Sequence, residues 1–165
     1  MCEAAVIAAL YAAVTLVTAP LASGVIQVRI AEALCALPIF TPSAIPGVTL
    51  GCLLANLLTG SPLPDVIFGT LATLIGALLT ALLRRRPIPA LLPPIVSNAV
   101  IIPLVLKYAY KVEEAYLYTV LTVSAGEIIS VGVLGFILFS LIKKRLPRGL
   151  TAYPVRGKRE SAQTS

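Results

Sequence analysis

The sequence predicts an all-α membrane protein built as a bundle of six transmembrane helices. The chain has 165 residues, of which 58% are hydrophobic, and its mean hydropathy is +0.97. Several apolar stretches approach or exceed the roughly 18 residues that cross a bilayer as a helix. These runs are continuous rather than alternating, and backbone groups in lipid must be satisfied within their own segment or in a closed barrel. Helices are therefore the expected elements.

Six spans follow one another along the chain. We place them at 4–19, 29–40, 44–59, 64–83, 88–106 and 115–142. The second is too short to cross alone, so we expect it to tilt in contact with protein or to be extended by irregular backbone around Pro38 and Pro42. The fifth is interrupted by Pro93, Pro94 and Pro103. The sixth is longer than the hydrocarbon thickness and should tilt or project into the cytoplasm.

The basic residues predict how the chain is oriented. The net charge is +6, and the clusters Arg84–Arg86 and Lys143–Arg145 stand at span ends. This placement is typical of cytoplasmic loops rather than of nucleic-acid binding. Both termini are then cytoplasmic, unless 29–40 fails to cross, which would move the N-terminus to the other side. Residues 1–146 form the transmembrane domain, and 147–165 form a polar tail that we expect to be disordered.

Missing residue types exclude most catalytic chemistry. The chain has no histidine, which removes His-based zinc sites and Ser-His or Cys-His catalysis. The three cysteines have no paired spacing, and Cys35 and Cys52 lie in apolar runs as small hydrophobic residues. No phosphate-binding loop of the Gly-x-x-x-x-Gly-Lys-Ser/Thr type is present. We expect neither an enzyme nor a metal or cofactor site.

A polar island stands in the second span and the loop before it. Gln27, Arg29 and Glu32 occur there in an otherwise apolar sequence, and ionisable groups at membrane depth are expensive and usually functional. Arg29 and Glu32 are three residues apart, so one interpretation is a self-neutralising structural pair. In the other, Glu32 faces a solute cavity, Arg29 orients it and Gln27 adds an amide.

Three further polar side chains lie inside apolar runs. Glu127 is near the middle of the longest span with no basic residue in the neighbouring turns, so it must be protonated, pair across the bundle or bind a solute. Asn56 and Asn98 can each bridge helices or contact solute. Asp65 follows Pro64 and is expected mainly to stabilise the start of the fourth span. The candidate solute site is therefore Gln27, Arg29, Glu32, Asn56, Asn98 and Glu127.

The first span carries two ladders of alanines spaced four apart. One ladder is Ala4, Ala8 and Ala12, and the other is Ala5, Ala9 and Ala13. Small residues at this spacing let two helix backbones approach closely. The ladders serve either packing within the bundle or docking of another membrane protein, and we expect the Ala4–Ala8–Ala12 face to point outward to a partner.

These residues resemble a known family. The similar stretches are Ile26–Leu34 (Ile-Gln-Val-Arg-Ile-Ala-Glu-Ala-Leu), Gly51–Leu58, Asp65–Leu74 and Gly126-Glu127. Together with the alanine-rich first helix, they are similar to the queuosine-precursor transporter family (QueT) over about residues 4–142. Members of that family are substrate-binding S components of energy-coupling factor (ECF) transporters.

The resemblance implies a partner complex and a ligand. It implies the six-helix fold of ECF S components in the cell membrane of a prokaryote, a transmembrane coupling protein and two cytoplasmic ATPases. The implied solute is 7-cyano- or 7-aminomethyl-7-deazaguanine, with stacking supplied by an aromatic residue such as Tyr11, Phe68 or Tyr108, since tryptophan is absent. Two alternatives stay open: an S component for another vitamin or nucleobase, and a stand-alone facilitator of small-solute transport.

Overall fold

The computed structural model describes residues 2–20, 28–109 and 116–145, and all regular structure within these ranges is helical. Two of the predictions above fall elsewhere. Gln27 and the tail 147–165 lie outside the described residues.

Six α-helices, two 3₁₀ helices and one π-helix make up the regular structure of the described residues. The α-helices are α1 (Cys2–Val17), α2 (Ala44–Leu58), α3 (Leu63–Leu82), α4 (Leu92–Ala109), α5 (Tyr116–Glu127) and α6 (Phe136–Arg145). A 3₁₀ helix, Ile30–Ile39, lies between α1 and α2, and a short one, Pro89–Leu91, leads into α4. A π-helix, Ile128–Gly135, joins α5 to α6.

The predicted spans agree with these helices to within a few residues. Three helical stretches, Leu63–Leu82, Pro89–Tyr108 and Tyr116–Arg145, are long and apolar enough to cross a membrane. The last has 30 residues, which confirms that the sixth span is the longest. The stretches Cys2–Val17, Ile30–Ile39 and Ala44–Leu58 are apolar but shorter.

The second span is a 3₁₀ helix surrounded by protein. Ten residues at about 2.0 Å each extend about 20 Å, less than the hydrocarbon thickness of about 30 Å. The stretch from Ala31 to Ala36 is buried throughout, and Pro38 lies within the helix. The expectation that this span lies in contact with protein is therefore confirmed.

None of the three prolines of the fifth span interrupts α4. Pro93 and Pro94 lie in the first turn of α4, where a missing N–H removes no helical hydrogen bond. Pro103 lies inside α4, and the helix continues through it to Ala109. The expected interruptions are therefore wrong, because Pro93 and Pro94 begin the helix and Pro103 lies within a continuous helix.

Close packing of α1 on α2 depends on two glycines spaced four apart. A Cβ added at Gly47 would lie 2.8 Å from Ile7 Cβ, and one added at Gly51 would lie 2.6 Å from Tyr11 Cβ. The α2 backbone at Gly51 also approaches Ala8 O, which would be 3.0 Å from the added carbon. No side chain fits between the helices at these points.

This packing decides which alanine ladder faces inward. Ala8 and Ala12 are buried, whereas Ala5, Ala9 and Ala13 are exposed. The expectation that the Ala4–Ala8–Ala12 face points outward is wrong, because Gly47 and Gly51 bring α2 against it. The outward ladder is Ala5, Ala9 and Ala13.

The described chain begins and ends at one end of the bundle. Thr41, just after the long 3₁₀ helix, donates a hydrogen bond to Glu3 Oε2 at 3.2 Å, and Phe40 stacks on Phe139 of α6 with ring centroids 5.4 Å apart. Arg84 lines a groove with Pro42 at the same end. We call this the basic end, because it carries Arg84–Arg86 and Lys143–Arg145.

Candidate functional site

A cavity of about 320 Å³ lies at the opposite end of the bundle from the basic end. Residues near the end of α1, the start of the long 3₁₀ helix, the α2–α3 turn, the later part of α4 and the later part of α5 form its wall. Its polar lining residues are Thr15, Arg29, Asn56, Thr59, Ser61, Asp65, Asn98 and Glu127. Ile102, Leu106 and Val123 contribute apolar surface. The cavity therefore combines a small volume with many hydrogen-bonding groups.

Arg29 and Asn56 form one polar wall. Arg29 Nη2 donates to Asn56 Oδ1 at 3.0 Å, and the Arg29 backbone N–H donates to Ser130 Oγ at 3.1 Å. Asn56 Nδ2 lies 3.4 Å from the Asp65 carbonyl oxygen, which accepts from it. These contacts join the start of the 3₁₀ helix to α2, α3 and the π-helix. They fix a guanidinium, which has five N–H donors and no acceptor, at the cavity wall.

Asn98 and Glu127 form a second polar wall. Asn98 Nδ2 donates to Glu127 Oε1 at 2.9 Å, which joins α4 to α5. Both side chains are buried, with Glu127 7% exposed. The other carboxylate oxygen, Glu127 Oε2, is buried and has no hydrogen-bond partner in the described part of the chain. A buried polar atom without a partner is costly and calls for an explanation.

Glu32 lies behind the cavity rather than in its lining. It is 1% exposed. The Tyr11 hydroxyl donates to its Oε1 at 2.5 Å, and the Cys35 thiol donates to its Oε2 at 3.1 Å. Both carboxylate oxygens are thus occupied by side chains of the bundle itself. Cys35 is more than a small hydrophobic residue, because its thiol is a hydrogen-bond donor here.

The sequence-predicted pair of Arg29 and Glu32 is not formed within the described residues. Arg29 precedes the 3₁₀ helix with extended backbone angles (φ −100°, ψ 95°), so its side chain does not follow the face that carries Glu32. The two groups are still near enough to attract each other electrostatically. A direct hydrogen bond or ion pair is therefore not what relates Arg29 to Glu32 in the described part of the chain.

The structure brings four of the six predicted site residues around one cavity. Arg29, Asn56, Asn98 and Glu127 all line it. Glu32 is separated from it by its contacts with Tyr11 and Cys35, and Gln27 lies outside the described residues. A contact of any of the six with a solute stays a prediction.

Sequence reasoning missed the hydroxyl groups of the cavity and the partners of Glu32. Thr15, Thr59 and Ser61 lie near helix ends, where hydroxyl residues are common, so their positions carried no specific signal. Tyr11 was one of three aromatic residues considered for stacking on a solute. It is fully buried and bonded to Glu32 instead.

The expected aromatic platform is not found among the described residues of the cavity. Phe68 and Tyr108 are exposed on the outside of the bundle, at 44% and 73% of their surface, and no aromatic residue is among the described residues that line the cavity. In the part of the chain that the structure describes, no group of three or more Cys, Asp or Glu side chains is arranged to hold a metal ion.

Comparison with known protein families identifies the family of this chain. Residues 1–144 match the model of the QueT transporter family. No curated protein and no solved structure matches the chain.

Proposed function

Because the chain belongs to the QueT transporter family, we propose that it is the substrate-binding membrane subunit of an ECF importer. Its solute in this proposal is a queuosine precursor, 7-cyano- or 7-aminomethyl-7-deazaguanine. The family is one of transporters, and three long apolar helices agree with a membrane location.

The polar cavity is the observation that carries the proposal. Its volume of about 320 Å³ is near the lower limit of the roughly 300–1,000 Å³ usual for small-molecule sites. This size accommodates a single heterocyclic base. Arg29 offers donors, and Glu127 offers an acceptor, so the two polar walls suit a planar solute that carries both a carbonyl group and N–H groups.

The position of the cavity supports capture from outside the cell. It lies at the end of the bundle away from Arg84–Arg86 and Lys143–Arg145. Basic clusters mark the cytoplasmic side of membrane proteins. We therefore propose that the cavity opens outward, that both termini are cytoplasmic and that the protein resides in the cell membrane of a prokaryote.

The energy source in this proposal is a partner complex. The sequence has no phosphate-binding loop, so a transmembrane coupling protein and two cytoplasmic ATPases would supply ATP hydrolysis. The exposed ladder of Ala5, Ala9 and Ala13 offers a face on which a partner helix can pack closely. The proposed docking face is thus this ladder rather than Ala8 and Ala12, which contact α2.

Direct binding tests the proposal. The purified full-length protein in detergent should bind both 7-deazaguanines, measured by calorimetry, and should bind thiamine, biotin and riboflavin at least a hundredfold more weakly. Preferential binding of one of those vitamins would identify that vitamin as the solute and would leave the assignment as an S component unchanged. Rapid equilibration of a deazaguanine into vesicles that contain this chain alone would favour the stand-alone facilitator and contradict the need for partners.

A further inference from the structure

Glu127 Oε2 is a buried acceptor atom that the described residues leave without a donor. Its residue is 93% buried and lines the cavity, and within the described residues no donor reaches this oxygen. The other oxygen of the same carboxylate accepts from Asn98. A donor for Oε2 can therefore come from what occupies the cavity.

The other intramembrane carboxylate cannot take this role without rearrangement. Both oxygens of Glu32 accept from Tyr11 and Cys35, and Glu32 is absent from the described cavity lining. Burial alone does not separate the two glutamates, since both are less than 10% exposed. The two glutamates differ because one carboxylate oxygen of Glu127 has no described donor, whereas both oxygens of Glu32 have one.

We propose, building on the function proposed above, that Glu127 determines solute specificity by accepting a hydrogen bond from a solute N–H at Oε2 while Asn98 holds Oε1. Arg29, fixed by Asn56 and by Ser130, faces the same cavity as a donor. The site thus selects a solute with an N–H donor directed to α5 and an acceptor directed to the start of the 3₁₀ helix. A solute that lacks the N–H leaves a buried carboxylate oxygen unpaired, and such sites discriminate strongly.

Two parts of the proposed solute could supply this N–H. One is the 2-amino group of the amino-pyrimidine edge, and the other is the ammonium of the 7-aminomethyl group. Both present N–H donors to a carboxylate, and a charge-assisted bond of this type contributes about 10- to 100-fold in affinity. The cyano compound has the edge without the ammonium, so comparing the two compounds distinguishes the sources.

The experiment pairs a side-chain change with a ligand change. Wild type and Glu127→Gln are titrated with both 7-deazaguanines and with the cyano compound lacking the 2-amino group. Glu3→Gln provides the matched control, because it makes the same chemical change at the basic end, where Glu3 accepts from Thr41. We expect Glu127→Gln to weaken binding by about 10- to 100-fold and Glu3→Gln to leave it unchanged.

The pattern across ligands identifies the donor. If the ring edge contacts Glu127, wild type loses a similar factor when the 2-amino group is removed, whereas Glu127→Gln loses little, because the two changes remove the same interaction. A penalty confined to the aminomethyl compound assigns the ammonium instead and also supports the proposal. Equal affinity of wild type and Glu127→Gln for both deazaguanines, or an equal loss for all three compounds, would overturn it.

Two controls keep the outcome unambiguous. If wild type binds none of the compounds, the proposed function is contradicted. Binding to wild type is therefore measured before any variant is compared. If Glu127→Gln fails to fold, Asn98→Ser replaces it, because this change removes the amide that holds Oε1 and keeps the carboxylate. The ratio of affinities between the compound that carries the N–H donor and the compound that lacks it should be smaller for Asn98→Ser than for wild type. An unchanged ratio would contradict the proposal.

Discussion

Glu32 and Glu127 are both buried inside the bundle, yet their surroundings differ in one decisive respect. Glu32 accepts hydrogen bonds on both oxygens, from Tyr11 and Cys35. Glu127 accepts from Asn98 on one oxygen only, and its second oxygen has no described partner. A buried carboxylate with complete hydrogen bonding joins helices, whereas one with an open position beside a cavity is available to a solute.

The largest expected effect on stability comes from replacing Glu32, whose hydrogen bonding is complete. Glu32→Leu leaves the buried Tyr11 hydroxyl and Cys35 thiol without their acceptor, and each unmade buried hydrogen bond costs about 1–3 kcal/mol. The free energy of unfolding of the solute-free protein should fall by about 2–5 kcal/mol, measured by denaturant unfolding in detergent. A loss below about 1 kcal/mol would mean that Glu32 does not hold α1 and the 3₁₀ helix together.

The two faces of α1 offer a second, similar comparison. Ala8 is buried against the α2 backbone at Gly51, and Ala9 is exposed. Ala8→Leu should destabilise the isolated protein by about 1–3 kcal/mol through overpacking. Ala9→Leu, the matched change on the next residue, should leave stability within about 0.5 kcal/mol and abolish co-purification with the coupling protein. If Ala8→Leu leaves the fold intact and alone breaks partner association, the docking face has been assigned to the wrong side.

Removing one donor to Glu32 should have a smaller effect than removing the acceptor. Tyr11→Phe keeps the ring that packs on α2 and deletes only the hydroxyl, so we expect a loss of about 1 kcal/mol in unfolding free energy. Combined with Glu32→Leu, it should add less than its separate effect, because the pair shares one interaction. Strict additivity of the two changes would show that the Tyr11–Glu32 hydrogen bond contributes nothing to stability.

The helices could be predicted because long apolar runs and their prolines mark the spans directly. The candidate polar residues could also be named, since an ionisable or amide side chain is conspicuous in an apolar run. Their partners could not be inferred, because pairing depends on how each helix is rotated. Arg29 and Glu32 are three apart, but the backbone of Arg29 is extended.

The π-helix shows the same limit at the other side of the cavity. Ser130 lies in the π-helix that begins at Ile128, and it accepts from the Arg29 backbone N–H, a contact between distant parts of the chain that spacing within one span does not indicate. The alanine ladders were equivalent by spacing alone. Gly47 and Gly51, four apart in the next span, were the signal that one ladder packs internally.

The smallest expected effect returns to Glu127. Glu127→Leu removes the buried oxygen that lacks a donor, which favours the folded state, and deprives Asn98 of its acceptor, which opposes it. Asn98 lines the cavity, where water can replace the lost partner at little cost. The solute-free protein should therefore keep its unfolding free energy to within about 1 kcal/mol, in contrast to Glu32→Leu, while the thermal stabilisation that wild type gains from added deazaguanine should disappear. Equal destabilisation by both leucine substitutions would mean that the two carboxylates serve the same structural purpose, and the distinction between a complete and an open hydrogen-bonding position would fail.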